Sequence, residues 1–162
     1  MPDFWFDTDS LVTPSRGAYR FDILPQFWDF LEQKAREHVF GSSRYVYEEL
    51  VGNEHPDDLE IWARKVNTLF FLEPDEAVQK AYKQIAEIVV HDPRWKAHHV
   101  TKFLNDADPW IIAHANALGG RVVTFEKSQP LSSRPFIPDV ARRVHVLSLC
   151  LWDVLSELEV RF

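Results

Sequence analysis

The sequence predicts an α/β sandwich built on a parallel sheet, and three observations carry that prediction. Short aromatic and β-branched runs alternate with helical stripes along the whole chain, which is the pattern of successive βα units. The first run, Phe4-Trp5-Phe6, ends abruptly in Asp7-Thr8-Asp9. An acid just past a buried strand lies at the carboxyl edge of its sheet, where open α/β folds bind ligands. Finally, 162 residues with 46% apolar content suffice for one ordinary core, so a single domain over 1–162 is expected.

The elements follow in order. After the first strand, Pro25 opens a helix at its first turn, and Phe27, Trp28, Leu31 and Ala35 recur at helical spacing to about His38. Val39-Phe40 reads as a weak second strand, with Gly41-Ser42-Ser43 as turn and helix cap. The next helix carries Val46, Glu48, Glu49 and Leu50 and stops near Gly52. Another begins at His55-Pro56-Asp57, with Leu59, Trp62, Ala63 and Val66 on one face. Thr68 to Leu72 is a third strand. Pro74-Asp75-Glu76 is an acidic first turn suited to a helix dipole, and Val78, Ala81, Tyr82, Ile85, Ile88 and Val89 form that helix's apolar face. Asp92-Pro93 interrupts, and a short helix runs through Val100, Phe103 and Leu104. Asp108 is placed as N-cap with Pro109 at the first helical position. The helix they open is apolar nearly all round, hence central, and Gly119-Gly120 ends it. Arg121 to Phe125 is the fourth strand, ending in Glu126. Residues 127–136 read as a mobile loop, Ile137 to Arg143 as a short helix, His145 to Leu149 as the fifth strand and Leu151 to Leu158 as the last helix.

Composition removes several classes of function. There is no 18-residue apolar run to span a membrane and no basic, apolar leader after Met1-Pro2-Asp3. Cys150 is the only cysteine, which excludes an internal disulfide and a cysteine-based zinc site. A soluble cytoplasmic protein is the expectation. A formal charge of −7 argues against coating nucleic acid by bulk electrostatics. It leaves a nuclease open, because metal-binding carboxylates count as negative until the cation arrives.

Four acids stand at element junctions: Asp7, Glu49, Asp108 and Glu126. Asp7 and Glu126 each follow a parallel strand, and Asp108 opens the helix leading into the Glu126 strand, so these three are expected at one sheet edge. Like charges about 5 Å apart repel by roughly 3 kcal/mol per pair at an effective dielectric near 20. Such a cluster needs a cation to stay ionised. Hard oxygen donors favour Mg²⁺ or Mn²⁺ over zinc, and phosphodiester hydrolysis is the chemistry that most often uses this arrangement. Periodicity does not choose between Glu48 and Glu49, because Val46, Tyr47, Leu50 and Val51 centre midway between them.

Taken together, Phe6-Asp7-Thr8-Asp9-Ser10-Leu11, then Glu49-Leu50 ahead of Gly52, then Asp108 with Ile111, Ala113 and Ala115, then Val122-Val123-Thr124-Phe125-Glu126 resemble a PIN-like domain. In order and spacing they are similar to the VapC-type toxin ribonucleases. The stretch from Asp22-Ile23 to Phe27-Trp28, the turn Ala107-Asp108-Pro109-Trp110 and the segment Ile137-Pro138-Asp139-Val140 resemble a longer, uncharacterised PIN-like branch. The resemblance implies a three-layer sandwich with a five-stranded parallel sheet flanked by helices. It implies Mg²⁺- or Mn²⁺-dependent cleavage of single-stranded RNA, leaving a 3′-hydroxyl and a 5′-phosphate. It selects Glu49 over Glu48 and makes Asp7, Glu49, Asp108 and Glu126 the catalytic quartet. Asp7, Asp108 and Glu126 would hold the metal, with Glu49 as a further ligand or a water-orienting base. Thr124 would fix the strand end, and Asp9, Asp139 and Arg142 would support the site or touch substrate. The implied partners are an antitoxin that covers the acidic pocket and a second copy in a homodimer. Two departures stand out: Glu126 is one methylene longer than the usual Asp, and Asp9 stands where Ser or Asn is more usual.

Plainer readings sit beside these. Asp108 and Asp139 also suit helix caps, Asp106 a loop acid, and Glu126 a solvated loop end. Lys102, Lys127, Arg134, Arg142 and Arg143 suit either a phosphate backbone or solvated faces. The side chains of His98 and His99 diverge on a helix and make no metal site, and Trp110 suits core or base stacking. Two rival functions remain. Asp7-Thr8-Asp9 mimics the nucleophile motif of haloacid dehalogenase-like phosphatases, with Asp7 attacking. A PIN-like fold can also persist as a non-catalytic binding module.

Overall fold

A computed structural model describes residues Met1–Phe162 and carries an α/β fold. The chain runs β1 (Phe4–Phe6), α1 (Asp9–Arg16), α2 (Pro25–Arg36), β2 (Phe40–Ser43), α3 (Arg44–Leu50), α4 (Asp58–Lys65), α5 (Asn67–Phe70) and β3 (Phe71–Leu72). It continues through α6 (Glu76–His91), α7 (Ala97–Asn105), α8 (Asp108–Leu118), β4 (Arg121–Val123), α9 (Ile137–Arg143), β5 (Ser148–Leu149) and α10 (Leu151–Glu157). The five strands form one all-parallel sheet in the order β3-β2-β1-β4-β5, flanked by helices.

β1 is the central strand. Phe4, Trp5 and Phe6 pair with Phe40, Gly41 and Ser42 on one side and with Arg121, Val122 and Val123 on the other. All three side chains are buried, which is why this strand is uninterruptedly apolar. The chain first winds outward through β2 and β3, then returns to lay β4 on the opposite flank of β1. That reversal makes the carboxyl ends of β1 and β4 a topological switch point, the place where an open sheet leaves a crevice. Helix α8 packs on this centre. Ile111, Ile112, Ala113 and Ala115 are buried, and Gly119 O accepts the Trp5 indole N–H at 2.8 Å. Gly120 then returns the chain to β4 at φ +99°, and a Cβ there would lie 2.8 Å from Pro2 O, so only glycine fits. No helix is long and apolar enough to cross a membrane.

Five sequence expectations are corrected. No periodicity in 9–16 announces a helix, yet α1 starts directly after β1, with Ser10 N–H donating to the Asp7 carboxylate at 2.9 Å. Gly41, Ser42 and Ser43 belong to β2 itself. Pro2 packs so closely on Gly41 that a Cβ would meet it at 2.6 Å, and the Ser42 hydroxyl donates to Phe6 O at 2.5 Å. Ser43 keeps its cap role, accepting from Tyr45 N. Of Thr68–Leu72 only Phe71-Leu72 is strand, because α5 turns Phe70 into the core against Phe6 and Trp62. β4 and β5 are shorter than expected, and His145 sits in a turn at φ +60°. Lastly, the N-cap of α8 is Ala107 and not Asp108, and no side chain caps that end.

Candidate active site

The switch point holds a cavity of about 330 Å³. Asp7, Thr8 and Asp9 line it from the end of β1, Glu49 from α3, and Asp106 and Asp108 from the entry to α8. Glu126 reaches it from beyond β4, Arg134 and Pro135 from the loop before α9, and His99, Lys102 and Phe103 from α7. Phe103 is the one hydrophobic liner, so the cavity suits a charged or strongly polar guest and not an apolar one.

Asp7 follows β1 into the floor and is 3% exposed. Burial pushes its carboxyl up to about 6, while the Thr124 and Ser10 hydroxyls and the Ser10 N–H pull it back toward the ionised form. Thr124 is thereby placed as expected, at the strand end beside Asp7, and its hydroxyl also accepts from Glu126 N at 3.1 Å. Asp108 is pushed up to about 8 by burial first, then by the charges of Glu126, Asp7, Glu49 and Asp106. Relieved of any capping bond, its carboxylate faces the cavity. Glu126 is also raised by burial, against an Ile137 N–H bond at 3.3 Å and the nearby Arg134 guanidinium, 3.9 Å away. The three acids line a single cavity, and Asp108 feels the charge of the other two.

The structure separates the two neighbouring glutamates. Both are exposed, but Glu48 pairs loosely with Arg44 at 4.0 Å, whereas Glu49 lines the cavity. Its Oε1 accepts the Thr8 hydroxyl at 2.5 Å and its Oε2 accepts Ala107 N–H at 3.1 Å. Asp9 lines the cavity from the first turn of α1. Asp139 and Arg142 lie outside it. Asp139 is 4% exposed and accepts from the Ser128 hydroxyl at 2.5 Å and Gln129 N at 2.8 Å, with Arg142 3.8 Å away. It anchors the 127–136 segment to α9. Lys96 N to Ser133 O and Arg94 to Pro130 O tether the same segment.

The donor set fits a hard divalent cation, since Asp7, Asp108 and Glu126 offer only carboxylate oxygens. As the side chains stand, no three His, Cys, Asp or Glu are gathered closely enough to hold an ion. Several carboxylate oxygens are engaged with protein donors, so taking up a cation requires carboxylate rotations. Thr8, His99 and Asp106 also line the cavity, although the sequence gives Asp106 only a loop role, Thr8 none of its own, and His99 a side chain diverging from His98; the two rings in fact lie 4.0 Å apart. His99, Lys102, Phe103 and Asp106 recur at i, i+3, i+4 and i+7, the one-face signature of a helix. That signal becomes meaningful only once α7 is known to border the sheet edge. Trp110 is closed on both faces by Tyr45 and Tyr82, at 4.4 and 3.9 Å, and stacks no ligand. His114 is buried against Trp5 and pulled down to about 4 by burial, outside the site.

A family model described as "Domain of unknown function (DUF4411)" matches residues 4–162. No curated protein and no solved structure matches the chain.

Proposed function

We propose that this chain, which belongs to the DUF4411 family, is a metal-dependent endoribonuclease with a PIN-like fold. The observation that carries the proposal is the convergence of Asp7, Asp108 and Glu126 from three separate elements on one polar cavity at the switch point. A carboxyl raised to about 8 by burial first and then by its acidic neighbours suits a place that positive charge would complete. Mg²⁺ or Mn²⁺ would be held by Asp7, Asp108 and Glu126, and when bound it supplies activation of water and neutralisation of the leaving oxygen.

The chain's own residues supply the rest. Lys102 and Arg134 stand on the cavity wall with His99, where a phosphate of the substrate backbone would face two cations and an imidazole. Asp7, buried and bonded to Ser10, keeps a fixed position on the floor. In the overall reaction water adds to phosphorus and the P–O3′ bond breaks, leaving a 3′-hydroxyl and a 5′-phosphate. The partners that accompany this reading are an antitoxin protein that covers the acidic cavity and a second copy of the chain.

The test is cleavage of a mixed single-stranded RNA pool with Mn²⁺, comparing wild type with Asp7→Asn. Wild type is expected to cut, and the variant to lose most of that activity. Equal cutting by both would sink the assignment of Asp7. Release of inorganic phosphate from a small phosphate monoester, without RNA cleavage, would favour the phosphatase reading of Asp7 and Asp9. Absence of any Mn²⁺ binding would leave a non-catalytic module.

A further inference from the structure

We infer that Glu49 is a positioning residue, a brace that spaces Asp7 and Asp108, and is neither a metal ligand nor a base. The inference rests on the nuclease reading for its consequence and on geometry for its content. Both carboxylate oxygens of Glu49 are committed to protein donors. Oε1 takes the Thr8 hydroxyl at 2.5 Å and Oε2 takes the Ala107 N–H at 3.1 Å. Thr8 directly follows Asp7, and Ala107 directly precedes Asp108. One side chain on α3 therefore ties the end of β1 to the entry of α8, bridging 41 residues in one direction and 58 in the other.

The local structure explains why such a tie is needed. Asp108 caps nothing, and Ala107, the N-cap of α8, offers no side-chain acceptor. The amide donor at this junction is met by a carboxylate from a distant element. A charged acceptor makes the stronger kind of hydrogen bond, and its charge sits at a helix N-terminus, where the dipole favours it. The two aspartates, by contrast, carry no mutual contact that would set their spacing. With Glu49 in place, the backbone on either side of the cavity is held, the Asp7 carboxylate staying fixed by Ser10 while the Asp108 carboxylate is left without a capping bond to turn toward a cation.

Glutamine separates a brace from a ligand. Its carbonyl can accept the Ala107 N–H while its amide donates to the Thr8 oxygen, so both ties survive without the charge. A ligand or base would not survive that change. Two measurements read the difference. The first uses no metal: amide hydrogen exchange at Ala107, followed by NMR. Protection is expected to persist in Glu49→Gln and to fall at least about tenfold in Glu49→Ala. The second is Mn²⁺ titration by calorimetry on folded variants. Removal of an orienting partner typically costs about 10- to 100-fold in metal affinity. Thr8→Val and Glu49→Ala are expected to lose about tenfold, and Glu49→Gln to stay within about threefold of wild type.

If Glu49→Gln binds Mn²⁺ as poorly as Glu49→Ala while Thr8→Val is unaffected, Glu49 is a ligand and the brace is overturned. An unprotected Ala107 amide in wild type overturns it as well. If wild type takes no Mn²⁺ but Ala107 protection follows the Gln/Ala pattern, the brace stands and the nuclease reading falls.

Discussion

Two carboxylates in this molecule, Glu60 buried and Asp108 half-buried, move in opposite directions. Glu60, in α4, is fully buried, and burial alone would raise it. Hydrogen bonds from Arg64, from the Asn53 side chain and N–H, and from the Gly52 N–H outweigh that penalty and hold it down at about 2. Asp108 meets the same penalty with no cation and no capping bond, and four further acids push it up to about 8. A carboxylate that the fold uses for its own architecture arrives with its donors. Here three donor groups, the Gly52 N–H and the Asn53 N–H and side-chain amide, close the loop after α3 onto α4, and Arg64 adds a cation from within the helix. A carboxylate left without donors and crowded by its own kind costs the fold stability, and it persists where something outside the chain completes it.

The contrast is breakable, beginning with the largest expected effect. Glu60→Ala should lower Tm by about 10 °C, since it leaves the Arg64 guanidinium and several N–H groups without their acceptor. Mn²⁺ affinity should be unchanged. A variant that melts normally but loses Mn²⁺ would reverse the roles given to the two acids.

Asp108 should show the opposite pH behaviour. Its folded form keeps a proton up to about 8, whereas the unfolded form loses it near the ordinary aspartate value. Between those values the folded state binds more protons, so this group's contribution to stability falls as pH rises from about 4 to 8. Asp108→Asn should remove that slope and raise the metal-free Tm at pH 8 by several degrees, as read by calorimetry. A slope that persists in the variant would place the strain elsewhere.

Cation binding should relieve the same strain in wild type. Mn²⁺ at about 100 times its Kd stabilises by roughly 2.7 kcal/mol, and Asp108→Asn should forfeit most of that gain. A thermal melt unmoved by millimolar Mn²⁺ would leave the crowded acids without the guest proposed for them.

The smallest effect concerns the cationic wall. For single strands the salt dependence of binding changes by about 0.7 in log–log slope per phosphate contact. With the Asp7→Asn protein as binder of a labelled RNA, replacing Lys102 and Arg134 together by Ala should reduce that slope by about 1.4. Lys83→Ala, which removes an exposed cation from α6, should leave it unchanged. Equal losses in both would mean bulk charge and not the cavity wall.

Much of this was legible in the residues. The α/β class followed from alternating patterns, and the parallel sheet follows from them as well. Helices start at Asp57 and Asp75 as expected, and each of these side chains proves to cap its helix. The bounds of α9 matched, because Pro138 and the Arg142-Arg143 end mark both termini. What failed, failed where tertiary contact overrides local propensity. Gly41-Ser42-Ser43 has turn composition, yet it is strand because neighbours on both sides complete its hydrogen bonds. Asp108-Pro109 has the look of a cap and its first helical residue, yet the helix begins one position earlier.

The sequence by itself determined that Phe4-Trp5-Phe6 is a buried strand and that acids follow it and the Val122-Val123 strand, because burial patterns are written locally. Periodicity left Glu48 and Glu49 equal and the resemblance chose Glu49; the tertiary structure supplies the physical reason, since the position of α3 against the sheet edge puts Glu49, not Glu48, on the cavity with Asp7 and Asp108. It also decided that His99, Lys102 and Asp106 border the same cavity. That juxtaposition depends on where the chain reverses around β1, a long-range property that no local spacing contains.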